Sequence, residues 1–200
     1  MSELHKEKVV WVTGAASGIG KASVEEILSE GGRVLASDLP DADFAWAQGI
    51  NDIVLVTGDV SDPEHNELAV KTAEDKFGRI DGAVLNAGLA GRVDLFDGPI
   101  DSFDRVMEVN VRAVILGIRA CAKVMRPGSA MTVTASTSGM RGDPGMWVYN
   151  TSKAAVINLV RSTSMDLAAR GIRINAVCPG PTETGMTSRF EGEPHESMRR

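Results

Sequence analysis

The sequence predicts an α/β fold in which helices cover both faces of one doubly wound parallel sheet. Short apolar runs alternate with longer segments of helical periodicity along nearly the whole chain. This alternation gives parallel strands joined by right-handed helical crossovers. The apolar runs lack the polar–apolar alternation of half-exposed strands, as is typical of strands buried on both faces. A glycine-rich stretch follows the first run, at the place where such a sheet binds its ligand.

Six segments have the length and the apolar composition of buried strands. In chain order they are Val9–Thr13, Arg33–Asp38, Asp52–Val60, Ile80–Gly88, Ala130–Ser136 and Ile172–Gly180. A doubly wound sheet of this kind has the strand order 3-2-1-4-5-6 and binds ligands at the carboxyl ends of its strands. We therefore expect the functional residues to follow the strands rather than to precede them.

Four segments between the strands have apolar residues at helical spacing. They are Gly20–Gly31, Pro63–Phe77, Asp101–Met125 and Met146–Ala169. The first ends in two consecutive glycines, which form a helix stop signal. The third and fourth are apolar beyond one face, which indicates that they are covered on more than one side. We therefore expect the chain to form a homo-oligomer.

Composition limits the class of protein. A length of 200 residues suggests a single domain over 1–200, and a hydrophobic fraction of 43% with 24% charged residues is ordinary for a globular chain. A net charge of −6 and a pI of about 5.1 argue against nucleic acid or an anionic membrane as a partner. The N-terminal stretch lacks the apolar core of a secretory signal, so we expect a cytoplasmic protein.

Cysteine and histidine patterns exclude two further classes. The two cysteines, Cys121 and Cys178, form no CxxC pair, which makes a disulfide framework implausible and fits a reducing compartment. The three histidines have neither the HExxH pattern nor any paired spacing. We therefore expect no histidine-based metal site and no Ser-His-Asp hydrolase.

The stretch TGAASGIGKAS, Thr13–Ser23, has three glycines followed by a lysine. A loop that binds nucleoside triphosphates has the pattern G-x-x-x-x-G-K-[ST]. Here Ala15 replaces its first glycine and Ala22 replaces its hydroxyl residue, so an ATPase or kinase is a poor interpretation. The spacing G-x-x-x-G-x-G also departs from the G-x-G-x-x-G of dinucleotide-binding turns, although a glycine turn that opens a helix still suits a phosphate. A turn without a ligand remains the alternative.

Polar residues at the ends of neighbouring strands support a dinucleotide site. Asp38 ends the second strand, where a carboxylate can bind ribose hydroxyls and repel the extra phosphate of NADP, so NAD is the expected cofactor. Other residues after the strands are also candidates for cofactor binding. The glycine turn offers Gly14, Ser17, Gly18, Ile19 and Gly20 to the pyrophosphate, and the ends of the third and fourth strands offer Asp59, Val60, Asn86, Ala87 and Gly88 to adenine and ribose. Taken singly, each strand-end residue could equally be a turn former.

The strongest catalytic signal is the pair Tyr149 and Lys153. Tyr149 is the only tyrosine of the chain, and residues four apart share one helix face. A nearby ammonium favours the phenolate, which predicts a Tyr149 pKa below the ordinary value and a proton exchange with an alcohol or ketone oxygen. Ser136, at the end of the fifth strand, could bind the same oxygen. Asn110 lies in a very apolar helix, where an amide needs hydrogen-bond partners.

Seven motifs follow one another along the chain: TGxxxGIG (Thr13–Gly20), Asp38, NAG (Asn86–Gly88), Asn110, Ser136, YxxxK (Tyr149–Lys153) and PGxxxT (Pro179–Thr184). Together they resemble the short-chain dehydrogenase/reductases of the compact, single-domain branch, which have a Rossmann-type fold. The resemblance covers the chain from about Lys8 to Met186. It implies the interconversion of a secondary alcohol and a ketone, and a homodimer or homotetramer as the assembly.

The resemblance also implies roles for individual residues. Tyr149 is the expected general acid/base, and Lys153 is expected to lower its pKa and to bind the nicotinamide ribose. Ser136 is expected to orient the substrate oxygen, and Asn110 to hold a water that links Lys153 to solvent. Contacts with the nicotinamide end are implied for Pro179, Gly180, Thr182 and Thr184.

One departure from the family pattern lies at the end of the chain. Members continue with a further helix and a seventh strand, whereas this sequence ends at Arg200 in a polar stretch. The resemblance therefore implies a C-terminally shortened domain in which the sixth strand is a sheet edge.

The sequence thus predicts an NAD-dependent oxidoreductase that acts on a small-molecule alcohol or ketone. The alternatives are a regulatory protein that binds a dinucleotide without catalysis, and a nucleotide-sugar epimerase of the extended branch. The predicted substrate contacts are Ser136, Ser138, Met146, Tyr149 and Met186. Acyl-thioester ketones, diols, sugars and steroids all remain open as substrate classes.

Overall fold

Six parallel strands form one sheet in the computed structural model, which describes residues 4–188. The strands are β1 (Val9–Thr13), β2 (Arg33–Asp38), β3 (Ile53–Thr57), β4 (Gly82–Leu85), β5 (Ala130–Thr134) and β6 (Arg173–Val177). Their order across the sheet is β3-β2-β1-β4-β5-β6, which confirms the predicted order. The prediction that the domain is shortened at its C-terminus depends on residues 189–200, which lie outside the described residues.

The helices lie in the four predicted segments, with a short additional one near residue 185. They are α1 (Gly18–Ser29), α2 (Pro63–Phe77), α3 (Ile100–Met107), α4 (Ala113–Val124), α5 (Trp147–Ala168) and α6 (Gly185–Ser188). A π-helical turn, Glu108–Arg112, joins α3 to α4, so the long helix predicted over Asp101–Met125 is one helix with a widened turn in its middle. Such turns often occur at functional sites, and this one contains Asn110.

Two buried clusters lie on opposite faces of the sheet, because successive side chains of a strand alternate between its faces. On β1, Val9 and Trp11 belong to the larger cluster, which includes apolar residues of α2, α4 and α5. Val10 and Val12 belong to the smaller cluster, which packs against α1. Burial on both faces explains why the strands are continuous apolar runs.

The turn between β1 and α1 is too tightly packed for a side chain at Gly20. A Cβ there would lie 1.9 Å from the carbonyl oxygen of Gly14 and 2.8 Å from Nδ2 of Asn86. Gly14 and Gly18 have φ angles of 65° and 53°, in the left-handed region that other residues rarely adopt. Two backbone conformations and one close contact thus account for the spacing G-x-x-x-G-x-G.

Replacing Gly20 by alanine should destabilise the protein, because a backbone carbonyl cannot move aside without opening the turn. We expect the free energy of unfolding in urea to fall by about 2 kcal/mol. Gly142→Ala is the matched control, since a Cβ at Gly142 meets no described atom within 4 Å. Equal free energies of unfolding for the two variants would contradict this explanation of the glycine.

Candidate active site

A cavity of about 300 Å³ opens at the carboxyl ends of the strands, where the crossovers from β1 and β4 diverge to opposite sides. Most of the predicted site residues line it: Gly14, Ser17, Gly18, Ile19, Asp38, Asp59, Val60, Asn86, Ala87, Gly88, Ser136, Tyr149, Lys153, Pro179, Gly180, Thr182, Thr184 and Met186. The predicted residues Gly20, Asn110, Ser138 and Met146 do not line the cavity. The strand ends therefore bring together residues that are up to 172 positions apart (14 to 186).

The N-terminus of α1 forms one wall of the cavity. Its N-cap residue, Ser17, makes no side-chain capping bond, and no acidic residue lies in the first turn. The first N–H groups and the positive end of the helix dipole thus suit a phosphate group. Thr184 lies across from this wall, because a Cβ at Gly18 would be 3.3 Å from its methyl carbon. The glycine turn fits the diphosphate of a dinucleotide.

Asp38 links the end of β2 to the glycine turn. Its Oδ2 accepts a hydrogen bond of 2.9 Å from the backbone N–H of Ala16, and its Oδ1 accepts one of 2.9 Å from that of Leu39. A carboxylate can accept about four hydrogen bonds, so acceptor sites remain on the cavity side. These sites suit hydroxyl donors such as those of a ribose.

Asn86 holds the ends of three strands together with one side chain. Its Nδ2 donates to the backbone carbonyls of Thr13 and Gly14 at 3.2 Å and 3.4 Å, and its Oδ1 accepts from the Thr134 hydroxyl at 3.1 Å. The backbone N–H groups of Asn86 and Ala87 both donate to the Thr13 hydroxyl. Although Asn86 lines the cavity, its amide is used to fix the floor formed by β1, β4 and β5.

The Lys153 side chain is buried at the centre of the site. Only 4% of Lys153 is exposed, and its ammonium donates a hydrogen bond of 2.7 Å to the carbonyl oxygen of Thr134 at the end of β5. Nζ lies 5.7 Å from the centre of the Tyr149 ring, so both side chains occupy one face of α5. Burial lowers the pKa of Lys153 to about 8. The ammonium therefore keeps its charge at neutral pH and loses it as the pH rises above that value.

The Ser136 hydroxyl lies near the Tyr149 phenol, and both residues line the cavity. Burial raises the pKa of Tyr149 above its ordinary value, and the interaction with Ser136 only partly opposes this effect. The sequence predicted a lowered pKa, and this prediction is wrong for the protein without a bound cofactor. The physical reason is that the loss of solvent around the phenol outweighs the stabilising contacts of its ionised form.

Ser136 is fixed by the turn that follows β5. Its Oγ accepts a hydrogen bond of 3.1 Å from the backbone N–H of Ser138, which opens a short 3₁₀ turn over Thr137–Gly139. The hydroxyl of Ser138, which does not line the cavity, donates to Oδ2 of Asp143 at 2.6 Å. Ser138 thus braces the loop before α5, and its contact with a substrate stays a prediction.

Asn110 is completely buried and connects the loop after β4 to α5. Its Oδ1 accepts from the N–H of Leu89 at 2.7 Å, and its Nδ2 donates at 2.9 Å to the carbonyl of Leu89 and to the Ser152 hydroxyl. Ser152 in turn donates to the carbonyl oxygen of Tyr149 at 2.7 Å. A Cβ at Gly88 would lie 3.2 Å from Asn110 Oδ1 and 3.5 Å from Lys153 Nζ, so a side chain there would press on the Asn110 amide.

Sequence reasoning missed Arg105, which also lines the cavity. Its Nη2 donates a hydrogen bond of 2.8 Å to Oδ2 of Asp59, at the turn after β3. Burial alone would raise the pKa of Asp59, but hydrogen bonds from Ser61 and Arg105 lower it to about 2. No motif marks Arg105, because its partner lies 46 positions away in the chain.

The part of the chain that the structure describes contains neither a metal-binding cluster nor a membrane-spanning helix. Among residues 4–188, no group of three or more His, Cys, Asp or Glu side chains could hold a metal ion. Over the same range, no helix has the length and hydropathy needed to cross a bilayer.

Comparison with known proteins places this geometry in a family. A family model described as enoyl-(acyl carrier protein) reductase matches residues 14–199. A 2-(R)-hydroxypropyl-CoM dehydrogenase of Xanthobacter autotrophicus is 39% identical over 191 residues, which are 90% of this chain and 76% of that protein.

Solved structures with the same fold contain either nicotinamide dinucleotide. A short chain dehydrogenase of Burkholderia cenocepacia in complex with NADP has a TM-score of 0.86 and 34% identity, over 90% of this chain and 77% of that one. A short chain dehydrogenase/reductase of Burkholderia phymatum in complex with NAD has a TM-score of 0.86 and 28% identity, over 100% of this chain and 74% of that one.

Proposed function

This chain belongs to the short-chain dehydrogenase/reductase family, and we propose that it transfers a hydride between a nicotinamide dinucleotide and a secondary alcohol or its ketone. The observation that carries the proposal is the gathering of a phenol, a hydroxyl and an ammonium in one cavity: Tyr149, Ser136 and Lys153. The opposite wall of this cavity is the glycine turn, which fits a diphosphate. A protein that only binds a dinucleotide does not need the phenol, the hydroxyl and the ammonium together.

Proton transfer is the task of Tyr149. Because its pKa is raised, the phenol is protonated at neutral pH and can act as an acid toward a ketone oxygen. The Ser136 hydroxyl lines the same cavity and can donate to the same oxygen, which polarises the carbonyl. The bound dinucleotide supplies or accepts the hydride at the carbonyl carbon.

Lys153 supports this proton transfer by its charge. When Tyr149 gives up its proton, the phenolate forms beside a buried ammonium, and a charge pair in a poorly solvated site interacts more strongly than in water. In the oxidative direction the same ammonium favours the phenolate that takes the proton from the alcohol. With a pKa of about 8, Lys153 supplies this charge at neutral pH.

NAD is the proposed cofactor, on the strength of Asp38. The carboxylate lies at the cavity, held by two backbone N–H groups, where it would meet the 2′-phosphate of NADP with like charge. The guanidinium of Arg105 lines the same cavity but is bonded to the carboxylates of Asp59 and Glu108. A homo-oligomer and a cytoplasmic location stay predictions from the sequence.

Replacing Tyr149 by phenylalanine removes only the phenol oxygen. We expect kcat for NADH-dependent ketone reduction to fall at least about 100-fold, with the Kd for NADH unchanged, as measured by NADH absorbance over a ketone panel and by fluorescence titration. Thr151→Ala, an exposed residue in the same helical turn, is the control and should retain activity. A Tyr149→Phe enzyme with substantial residual kcat would refute the acid/base role.

Replacing Asp38 by serine should narrow the preference for NADH over NADPH, because it removes the charge that repels the 2′-phosphate. We expect the ratio of the two kcat/KM values to change about tenfold, equivalent to about 1.4 kcal/mol. Asp41→Ser removes the same charge from an exposed position outside the cavity wall and should leave the ratio unchanged. An unaltered ratio in Asp38→Ser would count against the proposed cofactor preference.

A further inference from the structure

Two arginines of the long helix hold the turn that follows β3. Arg105 donates to Oδ2 of Asp59 at 2.8 Å and to the Ser61 hydroxyl at 3.3 Å. Arg112, two helical turns further on, donates to the carbonyl oxygen of Ser61 at 2.6 Å. Glu108 lies between them, 2.9 Å from Arg105 and 3.8 Å from Arg112. The contacts span 44 to 51 positions of sequence, so they are tertiary and not a local feature of the helix.

These contacts fix the orientation of the Asp59 carboxylate. Its Oδ1 accepts from the N–H and from the hydroxyl of Ser61, at 2.8 Å and 2.7 Å, while Arg105 binds Oδ2. Three of about four acceptor sites are therefore used, and the remaining one is on Oδ2. Because Asp59 lines the cavity, this oxygen is available to a donor group of a ligand. The pKa of about 2 keeps the carboxylate ionised throughout the neutral range.

The topology of the sheet would place the Asp59 carboxylate near the nucleobase of a bound dinucleotide. A bound dinucleotide would have its diphosphate at the N-terminus of α1, after β1, and its ribose at the carboxylate that ends β2. The next strand outward is β3, so a base attached to that ribose extends toward Asp59 and Arg105. An ionised carboxylate with one free acceptor site suits an exocyclic amino group, which adenine carries.

We propose that Arg105 is a positioning residue for the adenosine end of the dinucleotide. It holds Asp59 so that the free lone pair of Oδ2 faces the base, and it contributes to the cavity wall itself. This role rests on the proposed function, because it requires that the cavity binds an adenine dinucleotide. Arg105 acts through Asp59 and has no part in the proton transfer at Tyr149.

Ligands with and without adenosine test this role. In Arg105→Gln we expect the Kd values for NADH and for 5′-AMP to rise about tenfold. Reduced nicotinamide mononucleotide lacks adenosine, so its KM in ketone reduction should stay within about twofold of the wild-type value. Arg105→Lys, which keeps the charge but loses the planar fork, should give intermediate Kd values.

Lys123→Gln is the matched control for this experiment. Lys123 also connects the long helix to the chain after β3, through a bond of 3.0 Å to Glu67, but it does not line the cavity. It should leave all three ligand constants unchanged. If Arg105 acts through Asp59, the double variant Arg105→Gln/Asp59→Asn should bind NADH no more weakly than Asp59→Asn alone.

The outcomes separate the two claims. A wild-type protein that fails to bind NADH would overturn the proposed function and this role with it. If the wild type binds NADH and Arg105→Gln binds it equally well, only the role of Arg105 is overturned. Equal weakening of the dinucleotide and of reduced nicotinamide mononucleotide would also overturn it, because that pattern indicates a general loss of structure.

Discussion

The site depends on one buried cation, the Lys153 ammonium, which donates to the carbonyl oxygen of Thr134 between α5 and the end of β5. An ammonium removed from water is costly unless it is hydrogen-bonded, so this contact fixes how α5 lies on the sheet. The same loss of solvent lowers the pKa of Lys153 and raises that of Tyr149. The result is a protonated phenol beside a charged amine at neutral pH, which is the pairing that proton transfer to a ketone requires.

Two asparagines arrange the strands and loops around this pair. Asn86 joins the ends of β1, β4 and β5, and Asn110 joins the loop after β4 to the second turn of α5. An amide suits both positions because it offers donors and an acceptor in one side chain. The π-helical turn that contains Asn110 lies where the side chain must reach the Leu89 backbone. Their main contribution is therefore to hold backbone segments, so that Tyr149 and Ser136 meet.

Much of the fold could be predicted because its signals are local. The bounds of α2 match the prediction since Asp62 caps its first turn, Pro63 begins it, and Gly78 ends it in a left-handed conformation. The third to sixth predicted strands extended too far at their carboxyl ends, because the residues there belong to turns that line the cavity. The pKa direction of Tyr149 and the place of Arg105 could not be predicted, because they depend on burial and on contacts between distant segments.

The pKa of Tyr149 tests most directly whether a buried, protonated phenol is the acid of this site. Tyr149 is the only tyrosine, so protein labelled with ¹³C at tyrosine Cζ gives one resonance that follows its ionisation as the pH is raised. Without cofactor, we expect a pKa above the ordinary value of about 10, and a further rise in Ser136→Ala, because the Ser136 side chain lowers the pKa of Tyr149. A pKa at or below the ordinary value, unchanged by Ser136→Ala, would contradict the proposed site.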